Sequence, residues 1–101
     1  MKVEIEFDPK KSAKNAKERG LPFERFADLD LEAGAVTPDT RRDYGEDRYL
    51  VVAPLDGRLH VACFCIRGAA YRVISMRKAN DREVRRYERN QKEKTPKAAD
   101  R

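Results

Sequence analysis

A chain of 101 residues, 41% charged and 40% hydrophobic, has room for one sheet with helices packed on it and none for a second core. The net charge of +5 is unevenly placed: residues 1–66 carry 11 Lys+Arg against 13 Asp+Glu, and residues 67–101 carry 12 against 5. An end with a net charge of +7 predicts a surface for polyanions or acidic partners, nucleic acid first, whereas no apolar run approaches the roughly 20 residues that span a bilayer, so no membrane partner is expected.

Val3, Ile5 and Phe7 alternate with Lys2, Glu4 and Glu6, the period of a half-buried strand. Asp8 and Pro9 then offer an N-cap and a first turn, so residues 8–19 predict a Lys-rich helix ended by Gly20. Its apolar content, Ala13 and Ala16, predicts shallow docking. A second helix is expected from Leu21-Pro22, with Phe23, Phe26, Ala27 and Leu31 forming its buried stripe. Residues 35–37 suggest a short edge strand, followed by a polar loop over 38–47 that contains Arg41, Arg42 and Asp43.

Residues 49–55 and 59–66 are rich in β-formers and are joined by Asp56-Gly57, which suits a two-residue hairpin turn. A second hairpin through Arg67-Gly68 leads to residues 71–76. With both turns two residues long, alternation places Leu50, Val52, Leu59, Val61, Cys63, Ile74 and Met76 on one face, the expected seat of the helices. Tyr49, Val51, Arg58, His60, Ala62, Phe64, Tyr71, Val73 and Ser75 form a mixed face, with His60 opposite Ser75 and Arg77 just beyond it. In this register Arg72 falls on the face opposite that of Arg77. Asn80 and Glu83 have the spacing of a capping box, opening a helix to about Lys92. The fold class is therefore α+β: a small antiparallel sheet of three to five strands, two N-terminal helices and a basic C-terminal helix. Residues 1–90 form the domain, and 91–101 a charged, mobile tail.

Cys63 and Cys65 point to one face of a strand, where adjacent thiols rarely pair and two ligands do not complete a zinc site. They are expected as reduced core residues. Reduced thiols, and Met1 leading into a charged segment rather than a signal peptide, suit the cytoplasm. Carboxylates lack metal-ligand spacing, and no cofactor is expected.

Two segments carry a resemblance. FDPKKSAKNAKERG followed by LPFERFADLD, residues 7–30, and RVISMRKANDREVRRYE, residues 72–88, resemble the opening and the C-terminal signature of the BrnT toxins. The likeness spans roughly residues 5–88, the strands between matching in pattern and length. The family usually has Lys-His-Gly where this chain has Glu18-Arg19-Gly20, and often Arg where Val84 stands. The resemblance implies a RelE-like fold and a ribonuclease that arrests growth. It also implies neutralisation by a BrnA-like ribbon-helix-helix antitoxin, with operator DNA reached only through the toxin-antitoxin complex.

RNA is cut without metal when its 2′-hydroxyl attacks the adjacent phosphate, provided a proton is removed and the added negative charge is stabilised. Arg72 and Arg77 match the family signature, and a guanidinium fork fits phosphate, which assigns them phosphate contact and transition-state stabilisation. Glu83 and Tyr87 share a helix face. Glu83 is a candidate base or only the capping partner of Asn80, and Tyr87 a base, an acid, a stacking platform or a packing residue. Lys78, Arg82, Arg85, Arg86 and Arg89 are expected to hold the RNA backbone or an acidic side of the antitoxin. His60, the only histidine, lies outside the signature and is as readily structural as catalytic. The competing functions are a non-catalytic nucleic-acid-binding or co-repressor module, and a protein-interaction domain for an acidic partner.

Overall fold

The first helix begins where its sequence says it should. In the structure, a computed structural model that describes residues 4–99 with side chains as far as Lys92, Asp8 accepts a hydrogen bond from the Lys10 N–H at 2.9 Å. Strand β1 (Ile5–Glu6) thus gives way to helix α1 (Pro9–Arg19), which closes on Gly20 in the left-handed conformation, φ 70°. Val3 and the two C-terminal residues lie outside the described residues.

The expected second helix is instead two 3₁₀ segments, Phe23–Asp28 and Leu31–Ala33. Three residues per turn bring Phe23, Phe26 and Leu29 onto one side, and all three are buried. Ala27, assigned to the stripe by an α-helical period, is exposed.

Strands β2 (Ala35–Pro38), β3 (Tyr49–Leu55), β4 (Arg58–Arg67) and β5 (Ala70–Lys78) complete a five-stranded sheet in the order β1-β5-β4-β3-β2. The sheet is mixed and not wholly antiparallel, because β1 runs parallel to β5, pairing Glu6 with Arg72. At the other edge Pro38, which has no N–H to offer, blunts β2. Helix α2 (Asp81–Ala99) follows β5, and none of its side chains from Asp81 to Lys92 is buried. The helix runs on to Ala99, past the expected end near Lys92 and through most of the stretch expected as a tail.

The faces of β3 and β4, and of β5 as far as Val73, are the reverse of the expected ones, while Met76, expected beneath the helices, does lie in the core. Val51, Ala53, Leu55, Ala62, Phe64, Val73 and Met76 form the core with the 3₁₀ segments, so the side taken for an open, mixed surface is the inner face. Periodicity was silent here because β3 and β4 carry apolar residues on both sides, Val51 beside Val52 and Ala62 beside Cys63. Aromatic packing decides the matter: Phe26 meets Phe64 and Tyr71 with ring centroids 5.7 and 5.4 Å away.

Helix α1 docks through polar groups. Asn15 and Ser12 are its buried residues. The Asn15 side-chain amide donates to the carbonyls of Leu21 (2.7 Å) and Met76 (3.1 Å), and the Ser12 hydroxyl accepts from the Phe23 N–H at 2.8 Å. Because β1 covers β5 over two residues only, the Met76 carbonyl on β5 takes its partners from α1 instead, the Asn15 amide and the Arg19 guanidinium at 3.3 Å.

Candidate nucleic-acid interface

The outer face of the sheet owes its chemistry to one irregularity. The hairpin between β4 and β5 turns so that Arg67 opposes Ala70, one residue later than expected, and a bulge at Ile74 shifts the register again: Phe64 opposes Val73, but Cys63 opposes Ser75. Val61, Cys63 and Cys65 alternate regularly onto the outer face, and their partners are Arg77, Ser75 and Arg72. The extra residue therefore brings Arg72 and Arg77, which strict alternation sets on opposite sides, onto the same face. They stand five positions apart, up to about 16 Å at 3.3 Å per residue, too far for one phosphate to meet both.

The same shift removes His60 from any site. It opposes Ala53 and Lys78 instead of Ser75, is buried on the inner face, and its Nδ1 lies 2.7 Å from the Arg58 carbonyl. A carbonyl only accepts, so Nδ1 carries the proton. The role is structural.

Arg77 and Glu83 form a bidentate pair, both N–H···O distances 2.8 Å. Glu83 also completes the expected capping box: it accepts from the Asn80 N–H at 2.9 Å, and the Asn80 side chain accepts from the Glu83 N–H at 2.8 Å. The Arg77 guanidinium holds the Glu83 carboxyl below its usual range; burial opposes it, and the Asn80 N–H adds a lesser lowering. A carboxylate so engaged is a weak base until Arg77 is drawn away.

Tyr87 reaches across the end of the sheet, its hydroxyl donating to the Ala33 carbonyl. It thus anchors α2. Arg72 is paired with Glu6 at 3.2 Å. Lys78, Arg82, Arg85, Arg86 and Arg89 are exposed, and among the described residues none of the five has a carboxylate partner. The structure therefore brings Arg77 and Glu83 together, pairs Arg72 elsewhere with Glu6, and ties the Tyr87 hydroxyl, one turn along α2 from Glu83, to the Ala33 carbonyl.

Sequence reasoning missed the contribution of the loop over residues 39–48, which returns over the outer face. Asp39 has no exposed side-chain surface and takes Arg41 in a bidentate pair at 2.8 Å, while the Cys63 thiol donates to it across 3.7 Å. The Arg41 guanidinium holds the Asp39 carboxyl far below the ordinary range. Burial, reinforced by the Asp39 charge, pushes the Cys63 thiol up to about 11. This thiol stays protonated at neutral pH and is a poor nucleophile. The Arg41 charge also acts on Arg77, opposing the stabilisation that Glu83 provides. Arg48 lies over the Tyr44 ring with its guanidinium carbon 4.2 Å from the centroid. The signal available in the sequence was the run from Asp39 to Arg48, with four arginine or tyrosine side chains among acids, but its contacts with Cys63 are long-range.

Among the described residues no three His, Cys, Asp or Glu side chains gather as a metal site, and no helix is long and apolar enough to cross a membrane. An α+β domain whose sheet presents guanidinium groups on one face, beside a basic helix, is built to hold a polyanion. The sequence profile of the family described as ribonuclease toxin, BrnT, of type II toxin-antitoxin system matches residues 7–83, and the chain belongs to that family. No curated protein matches it.

Proposed function

We propose that the chain is an endoribonuclease that needs no metal ion, of RelE-like architecture, acting in the cytoplasm to arrest growth until a BrnA-like antitoxin covers its basic surface. The observation that carries this reading is the bulge at Ile74, which sets Arg72 and Arg77 on one face with the arginines of α2 beyond them. RNA lies along this face with separate phosphates on Arg72 and Arg77. The phosphate at the cut draws Arg77 from Glu83. The freed carboxylate gains basicity and takes the proton of the 2′-hydroxyl, whose oxygen attacks phosphorus. The 5′-oxygen leaves with a proton from water, giving a 2′,3′-cyclic phosphate, and Arg77 holds the charge that builds on the phosphoryl oxygens. Operator DNA is met only through the antitoxin complex.

The purified protein is expected to cut single-stranded or messenger RNA in EDTA and leave cyclic phosphate ends. An Arg77→Ala variant is expected to stay folded and lose at least 100-fold in rate, on the order of one electrostatic donor's contribution. Equal activity in the variant removes Arg77 from the site. A second reading, a non-catalytic RNA-binding or co-repressor module, draws on the engagement of Glu83 by Arg77 and Asn80 and of Tyr87 by Ala33, which leaves neither free for proton transfer before RNA binds. It predicts binding without cleavage, with a salt slope near −4 if about six phosphates are contacted on a single strand.

A further inference from the structure

Two hollows flank the loop over residues 39–48, and they share a wall made of Arg42, Tyr44 and Arg48. They differ in charge. One is lined by Asp39, Asp43, Glu46 and Asp47, and such a rim repels a nucleotide. The other, of about 410 Å³, is lined by Arg41 besides that wall, has Cys63 and Ser75 at its floor, and contains no carboxylate. A volume of that size falls in the range of pockets that take a small ligand.

We propose that this second hollow is a nucleotide subsite in which one base of single-stranded RNA stacks on the Tyr44 platform while Arg41 and Arg42 hold its phosphate. The inference rests on the ribonuclease reading and adds to it the place where a base is bound.

Tyr44 is half-buried, held in place yet open along part of its ring. Arg48, in cation–π contact at 4.2 Å, is itself tied to Glu46 at 2.9 Å, so the platform is rigid before RNA arrives. Arg42 stands at 6.0 Å from the same ring. It is exposed, and among the described residues it has no carboxylate partner, which leaves its fork available to a phosphate. Arg41 spends Nε and one Nη on Asp39 and keeps its other Nη for the ligand. Aromatic rings and guanidinium planes are the surfaces on which unpaired bases stack. The floor residue Ser75 is two positions from Arg77 on the same face of β5, so a base in the hollow sets the neighbouring phosphate beside Arg77.

The test uses fluorescent 2′-O-methyl RNA oligonucleotides of about ten nucleotides, which cannot be cut by 2′-hydroxyl attack, in all four homopolymer sequences. Tyr44→Ala is expected to weaken binding roughly 5- to 100-fold and flatten differences among the four sequences, since one stacked base is worth about that much. The salt slope should stay unchanged. Tyr44→Phe, which keeps the ring and loses the hydroxyl, restores affinity. Arg42→Ala, at an exposed position where no packing is lost, lowers the magnitude of the salt slope by about 0.7. Thermal melting verifies that each variant is folded. If Tyr44→Ala and Arg42→Ala both bind as the parent does, or if Tyr44→Phe is as weak as Tyr44→Ala, the subsite is overturned while cleavage by the parent keeps the ribonuclease reading. A parent protein that neither binds nor cuts any RNA overturns both.

Discussion

The two faces of the sheet solve opposite problems with the same backbone. The inner face buries Val51, Phe64, Val73 and Met76 under Phe23 and Phe26, and its polar members, Asn15, Ser12 and His60, each have a hydrogen-bond partner. On the outer side, arginine after arginine is paired with a carboxylate: Arg72 and Arg77 with Glu6 and Glu83 from other elements, Arg41 and Arg48 with Asp39 and Glu46 of their own loop. Such pairs are at least partly open to water and add little to stability. They hold the guanidinium planes in fixed directions, so that a polyanion meets a surface already ordered. The lesson of the contrast is that folding and RNA contact depend on different sides, and substitutions should separate them.

The largest effect belongs to the inner face. Phe26 is fully buried between the 3₁₀ segment and the aromatic rings of Phe64 and Tyr71. Phe26→Ala is expected to cost about 3–5 kcal/mol, a large part of the stability of a domain this size. Urea denaturation followed by circular dichroism checks it. A loss under 1 kcal/mol means that the core is elsewhere and the division between the faces fails.

Much of this division was legible in the sequence, and what was not has identifiable causes. Local chemistry is self-contained, which is why the Asp8 cap, the Asp56-Gly57 turn, the span of β3 and the Asn80–Glu83 capping box all appear as expected. The face of the sheet was misjudged because the choice between Val51 and Val52 depends on where distant aromatics settle. The common face of Arg72 and Arg77 depends on a bulge, and nothing in Val73-Ile74-Ser75 announces one. Docking of α1 was expected to be shallow for want of apolar residues, whereas Asn15 binds two carbonyls, one of them 61 residues away. The candidate site suffered most, because the loop that completes it is positioned by Asp39 against Cys63, a contact invisible to any local pattern.

Asp39 sits at the border of the two regimes, fully buried itself while its partner Arg41 is 66% exposed at the side chain. Its carboxyl titrates well below the usual range when folded, chiefly through the Arg41 guanidinium. The linkage follows directly: a depressed folded value stabilises the native state above the unfolded carboxylate value of about 3.9, and the contribution disappears as pH falls from there through the folded value. Asp39→Asn is expected to cost about 1–2 kcal/mol at pH 7, with the gap to the parent narrowing below about pH 4. Chemical denaturation across pH 3 to 7 measures it, and a gap that stays constant over that range rules out the ion pair as its source.

The smallest effect on the fold is expected on α2, where it has the most to say about RNA. Arg85 and Arg89 are exposed and four residues apart on a helix with no buried side chain up to Lys92. Replacing both by alanine should change stability by no more than about 0.5 kcal/mol. If both touch phosphate on a single strand, the salt slope of RNA binding should lose about 1.4 in magnitude, since each neutralised phosphate contributes about 0.7. An unchanged slope confines RNA to the outer face of the sheet and the loop over residues 39–48. The arginines of α2 are then left for an acidic surface on the antitoxin, and a toxin so divided can be held by its partner without the two competing for every charge.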